Sequence, residues 1–187
     1  MSEVKGNSKK SLLVLVAVFI IPVIAAKLAL DNDFFNRGST NKGQLLNPII
    51  DTTLLLADAS PKWRLVYAIP GDCDAQCENA IFSIHQVWLA LGKESDRAEA
   101  VVFVTNASDK KAIAQLASQP NLIRVSTSES DLKQVFGDVE KDAIFVVDTL
   151  NNAMLKYPLM AKQEDAILHS RDILSDLKKM LKLSRIG

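Results

Sequence analysis

Histidine and cysteine are scarce, with two of each in 187 residues. That leaves little room for a multi-histidine metal centre, and it excludes a four-thiolate zinc site or a miniprotein stapled by several disulfides. Seven glycines and six prolines exclude a collagen-like or low-complexity chain. An excess of charge is missing too. With 22 basic and 22 acidic side chains, nothing in the balance draws the chain to nucleic acid. No phosphate-cradling glycine loop, Walker lysine motif or Gly-x-Ser-x-Gly elbow occurs, and no serine is paired with a base. Nucleotide-binding and hydrolase readings therefore lose their support. What remains is an ordinary globular balance, 48% hydrophobic and 24% charged, in a length that suits one domain and an appendage.

The appendage is at the N-terminus. Residues 12–26 are apolar without a break except for Pro22, and Leu28, Ala29 and Leu30 extend the run past Lys27. At about 1.5 Å per residue, segment 12–30 is long enough to cross a hydrocarbon core of roughly 30 Å. Lys27 lies near the end, where its stem can stay in lipid while the ammonium reaches the headgroups. Lys5, Lys9 and Lys10 precede the run, and Asp31 and Asp33 follow it. The positive-inside bias then predicts a single-pass anchor in the cytoplasmic (inner) membrane, with residues 1–11 in the cytoplasm and the rest in the periplasm or an equivalent exported space. A cleaved signal peptide is the competing reading, although Ala25-Ala26-Lys27 and Ala29-Leu30-Asp31 make poor cleavage sites. Both readings export the remainder, and an exported compartment lets two nearby cysteines form a disulfide.

Residues 31–47 are polar and read as a linker, leaving 48–187 as the folded domain. Within it, strand and helix patterns alternate. Strands are expected at 63–69, 100–105, 122–125 and 143–148, with a hairpin partner at 154–157 beyond the Asn151-Asn152 turn. Helices are expected at 76–91, 109–118, 128–136 and 163–182. This order predicts an α/β fold, a central sheet with helices on both faces.

The chemistry concentrates in Pro70-Gly71-Asp72-Cys73-Asp74-Ala75-Gln76-Cys77-Glu78, where a strand ends and a helix begins. Unpaired amides in a helix's first turn favour a thiolate over a thiol, while Asp72, Asp74 and Glu78 oppose it. The loop can bring Cys73 and Cys77 to bonding distance, and reduced they offer two thiolates to a soft ion such as Cu(I). A structural disulfide and a pair of inert thiols are the alternatives. So short a loop restrains little chain entropy, which weakens the purely structural reading. His85 falls two turns past Cys77, about 12 Å along a regular helix, and reads as structural or surface. His169, in the last helix, is an outside ligand candidate. Trp63 and Trp88 read as core anchors.

Lys62-Trp63, the strand 65–68, Cys73-x-x-x-Cys77 at a helix entrance, the strand 101–105 and Ile144-Phe145-Val146-Val147-Asp148 with Lys156-Tyr157 beyond the turn resemble the Sco/SenC family of membrane-tethered, thioredoxin-like proteins. The resemblance spans roughly residues 45–185. It implies a thioredoxin-like fold and a role in assembling the binuclear copper centre of cytochrome c oxidase, by Cu(I) delivery, thiol reduction or both. It also implies that Cys73 and Cys77 are the redox pair and copper ligands, and that the partner is an oxidase subunit or another thiol-bearing client. Asp74 and Glu78 stand where the family usually has prolines. The stretch 138–142 holds no histidine where the family has its third copper ligand.

Overall fold

The computed structural model describes residues 8–31, 41–56, 60–137 and 142–184. The chain divides into two units, residues 1–40 and residues 41–187. In the first, α1 (Ser8–Asp31) is a continuous helix with Pro22 inside it. Its segment Lys10–Ala29 is long and apolar enough to cross a membrane, and none of it is buried within the protein. Residues 1–7 of the expected cytoplasmic end and 32–40 of the expected linker lie outside the described residues.

The second unit carries β1 (Gln44–Asp51), α2 (Thr53–Leu56), β2 (Trp63–Ala68), α3 (Ala75–Ala90), β3 (Ala98–Val104), α4 (Lys110–Leu116), β4 (Leu122–Ser126), α5 (Glu129–Phe136), β5 (Ala143–Val147), β6 (Asn152–Pro158) and α6 (Gln163–Leu183). The strands form one sheet in the order β1-β6-β5-β2-β3-β4. β2, β3 and β4 run parallel, while β5, β6 and β1 join through antiparallel pairs. β1 was not anticipated, and it begins at Gln44, ahead of the Pro48 boundary drawn from composition. It is an edge strand interrupted by Pro48, its only buried side chain is Leu46, and it therefore shows no apolar alternation.

Central strands β2, β3 and β5 are buried almost throughout. Their near-continuous apolar runs fit a sheet covered on both faces. α3, α4 and α6 contribute to the core on one face, with Ile84, Val87, Ile173 and Leu177 wholly enclosed. Each such aliphatic side chain contributes about 1.5–3 kcal/mol by leaving water. Leu55 and Leu56 of α2 and Leu132 and Phe136 of α5 form the second core on the opposite face. Arg64, within β2, is the exception to the apolar rule. Its guanidinium is fully buried but satisfied by Glu99 at 3.0 Å, by Asn151 Oδ1 at 3.0 Å and by the Ser60 carbonyl.

From β2 the chain crosses through α3 to β3, while β5 flanks β2 on the other side. Crevices in open sheets form where connections diverge in this way, outside the carboxyl ends of the strands. The end of β2 is where Cys73 and Cys77 are found.

Candidate functional site

β2 stops at Ala68, and Ile69 to Cys73 form a short loop into α3. Asp74 is the N-cap of α3, its carboxylate accepting from the amides of Gln76 at 3.0 Å and Cys77 at 3.1 Å. Aspartate is among the best residues for this role. The cap bends the chain so that Cys73 lies before the helix and Cys77 in its first turn. The two are joined as a disulfide, with α-carbons 5.2 Å apart. Cys77 is 1% exposed, enclosed with Ile69, Ala80 and Ile81, whereas Cys73 is partly open to solvent. The bond thus joins a partly exposed residue to a sheltered one.

A cap of this kind changes the local electrostatics. Two amides that would stabilise a sulfur anion are committed to Asp74, and exposed Asp72 and Glu78 add further negative charge. These carboxylates raise the cost of a thiolate here. Tyr67, on the strand leading in, is buried, and its hydroxyl is pushed well above the usual phenol range by desolvation, then by the charges of Asp142 and Asp74.

A second loop supports the first. Ser108 Oγ donates to the Ile69 carbonyl at 2.7 Å, and the Asp109 amide donates to the Pro70 carbonyl at 2.8 Å. The Asp109 carboxylate accepts from the amides of Lys111 and Ala112, both at 2.8 Å, which caps α4. These bonds hold its carboxyl below the ordinary value, the Ala112 bond most strongly. Gly71 passes so near this loop that a β-carbon there would sit 3.0 Å from the Ala107 carbonyl oxygen. Sequence reading marks Asp109 only as a helix start. Its backbone bond to Pro70 depends on the tertiary pairing of β2 with β3.

The histidines do not join the cysteines in a metal centre. His85 is half-buried on α3 beyond the thiol end. His169, on α6, lies edge-on to Tyr157, with ring centroids 5.6 Å apart. Its Nε2 is buried without a hydrogen-bond partner, beside a cavity of ≈ 10 Å³ lined by Asn79, Ser83 and Ile144. Among the described residues no group of three or more His, Cys, Asp or Glu could hold a metal ion. Asp142 is described; the remainder of the third-ligand stretch, residues 138–141, lies outside the described residues.

No curated protein matches the sequence. Solved structures that match include Sco-type copper proteins and thiol–disulfide oxidoreductases. ScoI of Bradyrhizobium japonicum, solved with copper bound, is 18% identical, with a TM-score of 0.44 over 62% of this chain and 87% of that one. Yeast Sco1, also with copper bound, is 10% identical, with a TM-score of 0.47 over 75% and 95% of the two chains. The thioredoxin domain of a thiol-disulfide oxidoreductase from Bacteroides vulgatus is 20% identical, with a TM-score of 0.49 over 67% and 84%. The family model for a transmembrane-like, thioredoxin-like C-terminal domain matches residues 63–184, from the start of β2 through the end of α6, and the chain belongs to that family.

Proposed function

We propose that this protein is a membrane-anchored thiol–disulfide oxidoreductase that keeps client thiols reduced in an exported compartment. The observation that carries this reading is the asymmetry of the Cys73–Cys77 pair at the entrance of α3, with Cys73 partly exposed and Cys77 1% exposed. That is the arrangement an exchange reaction needs. In the reduced pair, the Cys73 thiolate attacks a client disulfide; a mixed disulfide forms and one client thiolate leaves. The Cys77 thiolate then attacks Cys73 Sγ, restoring the Cys73–Cys77 bond and releasing the second client thiolate. Both departing thiolates take protons from water. Two electrons have passed to the client, and an upstream dithiol donor restores the pair.

The carboxylates around the loop favour this direction. Strong oxidants of this kind stabilise their reduced thiolate form. Here the α3 amides are committed to Asp74, and Asp72 and Glu78 repel a sulfur anion. The α1 helix, with Lys9 and Lys10 at its start, supports an anchor with a cytoplasmic N-terminus and the redox domain on the far side. The Sco/SenC resemblance supports a copper-containing respiratory oxidase subunit as the client, its copper-binding thiols kept reduced for metal insertion.

The test is covalent trapping with the full chain in its membrane. Cys77→Ser lacks the resolving thiol and accumulates mixed disulfides through Cys73; Cys73→Ser accumulates none. Equal trapping by both variants, or by neither, removes the exchange reading. Anaerobic Cu(I) titration against the Cys73→Ser, Cys77→Ser double variant tests the cargo separately: equal weak binding by both proteins excludes copper transfer.

A further inference from the structure

We infer that the crevice beside the Cys73 loop selects clients by charge, taking a lysine or arginine side chain next to the disulfide being exchanged and turning anionic thiols away. This rests on the reading of Cys73 and Cys77 as a working pair, and it gives the clients of that pair a chemical class. The crevice, ≈ 210 Å³, opens at the carboxyl ends of β2 and β3. Ile69, Pro70 and Gly71, which lead from β2 to Cys73, line it together with Leu132 of α5. Ile69 and Leu132 are buried, and the loop is held from behind by the Ser108 Oγ bond to the Ile69 carbonyl at 2.7 Å and the Asp109 amide bond to the Pro70 carbonyl at 2.8 Å. Charge comes from two carboxylates, Glu129 at the start of α5 and Asp142 immediately ahead of β5. β5 pairs antiparallel with β2, Phe145 opposite Val66, which carries Asp142 to the end of β2. Both acids are exposed, neither has an ion pair among the described residues, and no basic residue lines the crevice.

An apolar wall that ends in carboxylates is the complement of a long basic side chain. The methylene stem packs on Ile69 and Leu132, and the charged head meets Glu129 and Asp142. Because the crevice borders the loop that carries Cys73, a cation seated in it holds the neighbouring client disulfide close to the reacting pair. The surroundings act in the same sense. Asp72, Asp74, Glu78 and Asp109 lie about the cysteine loop, against Lys110 and Lys111 at the start of α4 and Lys162 ahead of α6. Acids outnumber bases there, and a negative field gathers cationic clients and disperses anionic ones within a Debye length, roughly 10 Å at 0.1 M salt. The exchange step sharpens the distinction. The departing client thiolate is an anion, and a basic group beside it in the client offsets its repulsion by these carboxylates.

Small disulfides of one chemistry and different charge test this: cystamine, which is cationic, 2-hydroxyethyl disulfide, which is neutral, and 3,3′-dithiodipropionate, which is anionic. The reduced full chain in uncharged detergent micelles is mixed with each at fixed pH, and oxidation of the pair is read by alkylation and mass. Cys73 attacks one probe sulfur and one probe thiolate leaves; Cys77 then attacks Cys73 Sγ and frees the second, and the two probe thiolates take up the protons that the cysteines gave. Each rate is divided by that of dithiothreitol with the same probe, which removes intrinsic reactivity, and then by the value for the neutral probe. Cystamine is expected to lead dithiodipropionate by at least about tenfold at about 10 mM salt and by under about threefold at about 0.5 M. Glu129→Gln with Asp142→Asn is expected to cut the low-salt ratio at least about threefold. Glu129→Asp with Asp142→Glu keeps both charges and is expected to keep the ratio within about twofold of wild type. Asp96→Asn makes an equal charge change on an exposed residue ahead of β3, at the other end of the strands, and is expected to do the same. A wild-type ratio near unity overturns the proposal. So does a Gln/Asn variant that matches Asp96→Asn, or a charge-keeping variant that falls as far as Gln/Asn. Equal rates with all three probes remove the charge selection and leave exchange standing, whereas a chain that reduces none of them removes the exchange reading and the selection with it.

Discussion

The Tyr157 hydroxyl donates to Asp176 Oδ2 at 2.9 Å, joining β6 to α6 inside the core. Asp176 has no solvent exposure, yet the same oxygen also accepts from the amides of Lys42 at 2.6 Å and Gly43 at 3.0 Å, and Lys179 Nζ approaches the other oxygen at 3.3 Å. The residues that lead into β1 are therefore held by a carboxylate 133 positions away. The negative charge pushes the Tyr157 hydroxyl far above the usual phenol range, in addition to the larger effect of desolvation.

Removing that carboxylate leaves two amides and a phenol to share no acceptor. Asp176→Ala is expected to lower unfolding free energy by about 3–5 kcal/mol, the range for breaking a buried charged network. Gly43→Ala acts on the same contact from the other side, because its β-carbon would fall within 2.7 Å of the Tyr157 hydroxyl oxygen. An overpacked site of this kind costs about 1–3 kcal/mol. Urea unfolding of both variants measures these losses. A change under about 0.5 kcal/mol in Asp176→Ala would show that the strand entrance is held by other contacts.

A pair that cycles between dithiol and disulfide, as proposed, requires a domain that stays folded in both states, and a short disulfide loop favours this. Cys73 and Cys77 are separated by 4 positions. Chain-entropy arguments assign a loop of this size about 2 kcal/mol, at the low end for disulfides. Reduction is expected to lower unfolding free energy by no more than about 2 kcal/mol, leaving the near-ultraviolet spectrum of the core in place. Loss of cooperative unfolding on reduction would mark the bond as structural.

Much of this arrangement is legible in the sequence, for reasons that also explain the gaps. β2 and β3 are buried on both faces, so 65–69 and 100–104, within the expected strands 63–69 and 100–105, read as unbroken apolar runs, and α3 shows its inner stripe at Ala80, Ile81, Ile84 and Val87. The cysteine loop is legible because its geometry is local, set by a strand end and a helix start. β1 is not, since an edge strand needs only one apolar face and Pro48 breaks even that. Tertiary bonds are equally silent: Arg64 sits in a strand pattern that does not reveal Glu99, and the Asp109 bond to Pro70 joins loops that meet only once the sheet has formed. Asp74 reads from sequence as a charge opposing the thiolate. The structure adds its second role as the cap that places Cys77.

His169 is expected to contribute to the acid limb of stability. Desolvation pushes its imidazole below the ordinary value of 6.5, and Asp172 opposes this only in part. The folded state then binds fewer protons than the unfolded chain between the folded value and 6.5. The stability it confers is complete above 6.5 and is lost as pH falls through that window. The neutral ring against Tyr157 is the form the core accepts, since its buried Nε2 has no partner to share a second proton. His169→Gln is expected to unfold at a urea midpoint that depends less on pH below neutrality than wild type, with the two curves converging toward acid if the amide packs less well at pH 8. Parallel curves across the whole range would mean that another group carries the acid dependence.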